Sequence, residues 1–334
     1  MNNTNLELAQ RAIFDFEAIA LCSGSEESLR GPFALGDDDA FKAWRDRKLA
    51  NFPSSTHELV VEMRNPAAPS AAEAEAIRDR VRRAGMAVYA GPALAEVEPS
   101  KDLVRGLGAH FGMTRLDQNP YADEDAITPI HVAAGGDRVE AGRKLYIPYT
   151  NRAINWHTDG YYNTPDRRIR GMILHCVRQA GGEGGVNTLF DPEMAYLLMR
   201  ERDPDLVRAF VAMDAMTIPG NAIDEGVERG DVGGPVFSLN RADGTLYMRY
   251  TARKRNIVWA DTDATHQAVA FMEELLSGEG EAAKYIFPHR MEPGQGLICN
   301  NVLHTRTAFE DAEESAGQRM MLRARYLDRV SNTA

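Results

Sequence analysis

Cysteine is scarce in this chain: Cys22, Cys176 and Cys299 are the only three in 334 residues, and no two share a CxxC spacing. That excludes a disulfide framework and a cysteine zinc knuckle, and leaves three small hydrophobes expected in the core. Positive charge is in deficit as well, with 38 Lys and Arg against 49 Asp and Glu and a net charge of -11. Nucleic-acid binding depends on clustered cations that neutralise phosphates, so no such partner is expected. The basic stretch Arg249 to Arg255 is short and reads as solvated or substrate-facing. No apolar run approaches the roughly 18 residues of a membrane span. The N-terminus Met1 to Asn5 lacks the basic-then-apolar pattern of a secretory signal. A cytoplasmic protein that engages no membrane is expected, and homo-oligomer formation is left open. There is no internal repeat and no low-complexity tract.

What is present has an ordinary globular balance, 44% hydrophobic and 26% charged. The length exceeds a typical domain of about 100 to 200 residues, but β-rich folds reach it as one unit. Residues 1–65 are polar and weakly periodic and read as a leader packed on the core; residues 66–334 read as a single domain. Ser70 is an N-cap signal, Ala74, Ile77 and Val81 follow at helical spacing, and Gly85 ends the helix. A buried strand over 86–89 and a helix over 100–111 come next. Residues 112–156 carry loop signals, and a loop of that length is functional or disordered. Short β-rich runs then dominate: 172–177, 187–190, 236–239, 246–250, 296–300 and 320–327, with Asp243-Gly244 as a hairpin signal. Helices are expected near 192–201 and 262–276. Many short strands with turn punctuation predict a mainly β sandwich or jelly roll with flanking helices.

Trp156-His157-Thr158-Asp159-Gly160 is the most informative stretch, because side chains two apart on a strand point to one face. An imidazole and a carboxylate there supply two ligands of a two-histidine, one-carboxylate iron site, which keeps open positions for other ligands. The downstream candidates for the third ligand are His175, His266, His289 and His304. His175 sits in an apolar run and reads as a core histidine, His266 lies on an amphipathic helix, and His289 follows Pro288 in a turn. His304 stands out, since it follows the apolar strand 297–299 and a turn through Asn300 and Asn301. On the strand beyond it, Arg319, Arg323 and Arg325 share one face. In isolation that pattern is most often a solvated surface; buried, such arginines need an anion, and the guanidinium fork suits a carboxylate.

The order HxD, distant His, then Arg some fifteen residues on resembles the taurine dioxygenase-like (TauD/TfdA) family of Fe(II)/2-oxoglutarate-dependent dioxygenases, over roughly residues 70–328. Asn155 to Asp159 looks like the metal motif. The stretch Gly181 to Phe190 looks like the glycine-rich turn into a threonine-bearing strand, with a short insertion before Thr188. Asn301 to His304 matches the distal ligand, and Arg319 with Arg323 the closing arginines. The resemblance implies a double-stranded β-helix in which His157, Asp159 and His304 hold Fe(II). It implies that Arg319 and Thr188 bind the distal carboxylate of 2-oxoglutarate and that Arg323 contacts an anionic substrate or steadies the co-substrate. It further implies consumption of O2 with release of succinate and CO2. Asp159 favours hydroxylation, since halogenating relatives carry a small residue there. Taurine is disfavoured, because Met113 to Tyr121 lacks the sulfonate-contacting histidine of the taurine enzymes. Tyr149, Asn151 and Asn155 are substrate-contact candidates, and a small polar molecule bearing a carboxylate or sulfonate is the expected substrate. The glycine-rich, acidic segment within 214–235 is expected either to close as a lid or to be a solvated loop. Two other classes remain: a cupin-like metal enzyme that does not use 2-oxoglutarate, and a catalytically silent ligand-binding jelly roll.

Overall fold

The computed structural model describes residues 30–118, 125–132, 147–223, 227–240, 243–311 and 318–334. Most of the leader, the tip of the 214–235 segment and Asn119 to Tyr121 lie outside them. The first described helix, α1 (Asp38–Asn51), is capped by the Asp37 carboxylate, which accepts from Ala40 N. Strand β1 (Val60–Glu62) follows, then α2 (Ala71–Ala84), β2 (Met86–Ala90), α3 (Val97–His110) and β3 (Ile127–Ile130). In α2 Ser70 and Glu73 form a reciprocal capping box, and Gly85 closes the helix in the left-handed region at φ 71°. Next come β4 (Ile154–His157), β5 (Gly171–Arg178), β6 (Asn187–Phe190), α4 (Pro192–Arg202) and α5 (Pro204–Val211). The short strands β7 (Met216–Ile218), β8 (Asn221–Ile223), β9 (Val227–Arg229) and β10 (Val232–Gly234) precede β11 (Phe237–Leu239), β12 (Leu246–Met248) and β13 (Val258–Trp259). The chain ends through α6 (Asp263–Leu276), β14 (Ile286–His289), β15 (Gln295–Cys299), β16 (Leu303–Arg306) and β17 (Met320–Tyr326).

Two sheets face each other. The larger runs β1-β2-β15-β5-β17-β3 and the smaller β14-β6-β16-β4. Period-two alternation sorts their side chains into three layers. Outside the larger sheet, Ala87, Tyr89, Ile173 and Leu322 pack on Ile77, Val81, Val104 and Leu107 of α2 and α3. Between the sheets, Met86, Val88, Met172, Leu174 and Leu297 meet Leu189 and Phe287. Outside the smaller sheet, Phe190 and Leu303 pack on Met194, Phe210 and Met272 of α4, α5 and α6. The helices therefore coat a two-sheet barrel, as the strand pattern predicts.

Several elements were hidden in the sequence. Strand β3 lies inside the expected loop 112–156; Pro129 sits in it at the sheet's edge, where a missing N–H costs no ladder bond. Strand β1 runs parallel to β2 and makes the end of the leader an edge of the larger sheet. Helix α5 follows α4 after one residue, Asp203, whose carboxylate caps it. The base of the 214–235 segment is a small sheet, with β10 and β13 flanking β7. The buried Arg249 guanidinium pins it by donating to the carbonyls of Val232 at 3.0 Å, Gly234 at 2.9 Å and Met216. Among the described residues no helix is long and apolar enough to cross a membrane.

Candidate metal centre

Antiparallel register builds the site. His157 on β4 and Leu189 on β6 both pair with His304 on the intervening β16, so all three point between the sheets. The ligand-type atoms of His157, Asp159 and His304 lie within 4.8 Å of one another. Strand β4 ends at His157, so period two alone does not place the carboxylate. Asn301 does: its Oδ1 accepts from Asp159 N at 2.8 Å and its Nδ2 donates to Asp159 O at 2.9 Å and to Ile169 O at 2.7 Å. Asn301 itself sits at φ 53°, a left-handed turn that asparagine tolerates.

Both imidazoles are oriented by the same device. His157 Nδ1 bonds the carbonyl of Asn155 at 2.8 Å, and His304 Nδ1 bonds that of Val302 at 2.9 Å. Carbonyls only accept, so Nδ1 carries the proton and each Nε2 keeps its lone pair for a metal. Burial, with His304 alongside, pushes His157 down to about 3. Burial also lowers His304. Burial alone would raise the Asp159 carboxyl, but Arg323, Arg325 and the two imidazoles together hold it well below the ordinary carboxylate range. Arg323 Nη1 bonds Asp159 Oδ1 at 3.2 Å, while the buried Oδ2 has no partner. Two neutral imidazoles, one ionised carboxylate and an orphaned oxygen among them fit a divalent cation of the Fe(II) type.

The three arginines of β17 turn inward rather than to solvent. Arg325 is spent on structure, bonded to Tyr162 Oη at 2.9 Å and to the buried Asp117, which also pairs with Arg167. Arg319 is 5% exposed and makes no ion pair among the described residues; burial pushes it down to about 10. Its guanidinium carbon stands 5.2 Å from the centre of the Phe309 ring.

Thr188 is a correction. It pairs with Thr305, one step off the His304–Leu189 pair, so it faces the helix layer and not the metal ligands. Its neighbour Asn187 takes the inward place. The cause is the Gly181 to Gly185 turn, which docks on residues 308–310 through Gly182 N to Glu310 O at 3.1 Å, Glu310 N to Glu183 O at 3.0 Å and Gly185 N to Ala308 O at 3.3 Å. Tyr149, Asn151 and Asn155 lie on the approach to the ligands: Tyr149 ends a short 3-10 turn, and the two asparagines are exposed. Arg306 fixes that approach by donating to the carbonyls of Pro148 at 3.2 Å, Thr150 at 2.7 Å and Arg152. No pattern in the sequence marked Arg306, since its partners are all main-chain oxygens. Of the other histidines, His175 is a core residue stacked on Tyr89, with Nδ1 3.0 Å from the Tyr89 hydroxyl. At the rim, Arg253 lies over the ring of Tyr161, which meets the His157 ring edge-on.

A family model described as taurine catabolism dioxygenase TauD, TfdA family matches residues 46–325. The chain belongs to this TauD/TfdA family. The match begins within α1, so the family's pattern takes in part of the leader as well as the barrel. A uridine-5'-phosphate dioxygenase from an Amycolatopsis species is 30% identical over 185 residues, 53% of this chain and 62% of that protein. Trimethyllysine dioxygenase from Meyerozyma guilliermondii is 24% identical over 240 residues, 66% of this chain and 57% of that protein. The chain thus spans less than two thirds of the length of either relative. The crystal structure of asparagine oxygenase with Fe(II), 2S,3S-3-hydroxyasparagine and succinate aligns with a TM-score of 0.53 and 16% identity, covering 98% of this chain and 92% of that one. The double-stranded β-helix is therefore the shared fold.

Proposed function

We propose that this TauD/TfdA member is an Fe(II)- and 2-oxoglutarate-dependent dioxygenase that hydroxylates a small polar substrate bearing an anionic group. The observation that carries the proposal is the convergence of His157, Asp159 and His304 ligand atoms within 4.8 Å around the unpartnered Asp159 Oδ2. Bound Fe(II), with 2-oxoglutarate and O2, supplies the oxidising chemistry and yields succinate and CO2 with the hydroxylated product. The chain's own residues do the rest. His157 and His304 present neutral Nε2 atoms because their Nδ1 protons are held by main-chain oxygens. Asp159 stays ionised beside Arg323. Arg319, buried and without an ion pair among the described residues, offers its fork to the distal carboxylate of the co-substrate. The two-sheet interior excludes water from these charges.

Arg323 points to the substrate class. It stands beside the metal ligands, and a buried guanidinium that reaches the reacting centre favours a carboxylate, sulfonate or phosphate there. Uridine-5'-phosphate, trimethyllysine and 3-hydroxyasparagine, the compounds named for the relatives, each carry such a group. Asn155, Tyr149 and Asn151 are the proposed polar contacts at the mouth. A cupin-like metal enzyme that does not use 2-oxoglutarate would have no use for a buried, unpaired Arg319. The test is anaerobic titration with Fe(II) and 2-oxoglutarate: wild type should develop the weak visible metal-to-ligand charge-transfer band, and His304→Ala should not. A wild type without the band, or an undiminished band in His304→Ala, overturns the proposal.

A further inference from the structure

We propose that Asn187, rather than Thr188, is the side chain that joins Arg319 in holding the far carboxylate of 2-oxoglutarate; this rests on the co-substrate reading above. Asn187 and Arg319 line one small cavity between the sheets, together with Cys176, Gly185 and Met321. Asn187 stands two residues along β6 from Leu189, the partner of His304, which is roughly 7 Å from the metal ligands at 3.3 Å per residue. Arg319 stands four residues along from Arg323, which touches Asp159. A five-carbon diacid bound to the metal at its 2-oxo end would extend along the barrel toward both.

The Asn187 amide is built for a ligand. It is 4% exposed, and its Nδ2 donates to Thr305 O at 3.0 Å. The second N–H of that amide is the donor we assign to the carboxylate, while Oδ1 has no partner. A buried amide with unmet capacity is costly and marks a place where something else binds. Beside it, the Arg319 guanidinium has no ion pair among the described residues. Thr188 shares the outward face with Thr305 and can reach this cavity only if β6 slips by one residue, which would turn Leu189 out of the interior core.

The test compares binding of 2-oxoglutarate with that of 2-oxovalerate, which has the same 2-oxo acid end and no second carboxylate. The readout is the charge-transfer band in anaerobic Fe(II)-loaded protein. Asn187→Ala should weaken 2-oxoglutarate roughly tenfold or more, the scale of a hydrogen bond to a charged group, and change 2-oxovalerate less than about twofold. Thr188→Val should leave both within about twofold. Asn187→Ser, which keeps a donor and guards against a folding failure of the alanine variant, should recover part of the loss. Equal weakening of both acids by Asn187→Ala, or a selective loss in Thr188→Val instead, overturns the assignment. Absence of the band in wild type refutes the co-substrate reading itself and with it this inference.

Discussion

Removing Asn301 should loosen the carboxylate ligand and the fold together, by an amount that can be worked out. Its side chain makes three hydrogen bonds, to both backbone groups of Asp159 and to Ile169 O, and it is 3% exposed. Each bond is worth about 1 kcal/mol, and leaving its buried partner bare costs about 1–3 kcal/mol. Asn301→Ala therefore loses about 3 kcal/mol from the bonds, and a further 1–2 kcal/mol because alanine is strained in the left-handed region. Asn301→Gly keeps that conformation without the strain, so it should lose about 3–4 kcal/mol, including the extra chain entropy of glycine. Against a typical total of about 5–15 kcal/mol, both losses are large. Chemical denaturation of the metal-free protein measures them. Adding Fe(II) at about 100 times its Kd should stabilise wild type by about 2.7 kcal/mol, and the variants by less at the same concentration, because Asp159 is no longer pinned. Losses below about 1 kcal/mol in both variants, or equal stabilisation by Fe(II), would show that Asp159 is held by something other than Asn301.

His175 gives a pH dependence: burial pushes it down to about 4. With an unfolded value near 6.5, its contribution is complete above about pH 6.5 and falls away toward pH 4, by about 3 kcal/mol in all; the wild-type minus His175→Gln stability difference should follow that curve, and a flat difference refutes it. Gly184→Ala should cost about 2 kcal/mol or more, since Gly184 has φ 87° and its added Cβ would meet the Ala308–Phe309 backbone, whereas Gly185→Ala pays mainly the φ term of about 1–2 kcal/mol; equal Tm losses would contradict this. Arg323→Gln removes the largest influence lowering the Asp159 carboxyl, so protons should compete with Fe(II) at higher pH than in wild type, and calorimetric Fe(II) titrations from pH 5 to 8 should show affinity falling toward the acid end in the variant first.

The parts of the fold that are locally encoded were readable. The Ser70 and Glu73 capping box, the Gly85 stop and the alternation in β5, β15 and β17 each declare themselves within a few residues. So did the ligand types, since the histidine that follows a strand and turn is also the one that β16 brings beside His157. What stayed hidden depends on distant partners. Strand β3 is irregular by itself and is a strand only because β17 offers it an edge. The face of Thr188 is set by where the glycine-rich turn docks on residues 308–310, and a one-residue difference in that docking exchanges the roles of Thr188 and Asn187. Arg306 and Arg249 bond main-chain carbonyls, which leave no complementary side chain in the sequence for a pattern to find.

Charge balance inside the barrel ties the arginines to the substrate. Arg325 is neutralised by Asp117, and Arg306 is satisfied by carbonyls, so the uncompensated groups near the ligands are Arg319, Arg323 and Asp159. On the proposed function, a dication and the doubly charged co-substrate cancel each other, and Asp159 offsets one of the two arginines. One positive charge is left over in a water-poor interior, where an unpaired ion is expensive. A substrate with a single anionic group near the oxidised carbon removes the imbalance, and a cationic group placed there doubles it. In a substrate panel scored by succinate release, amino acids and organic acids should therefore be turned over while simple amines of the same size are not; turnover of the amines at comparable rates would mean that Arg323 serves Asp159 alone.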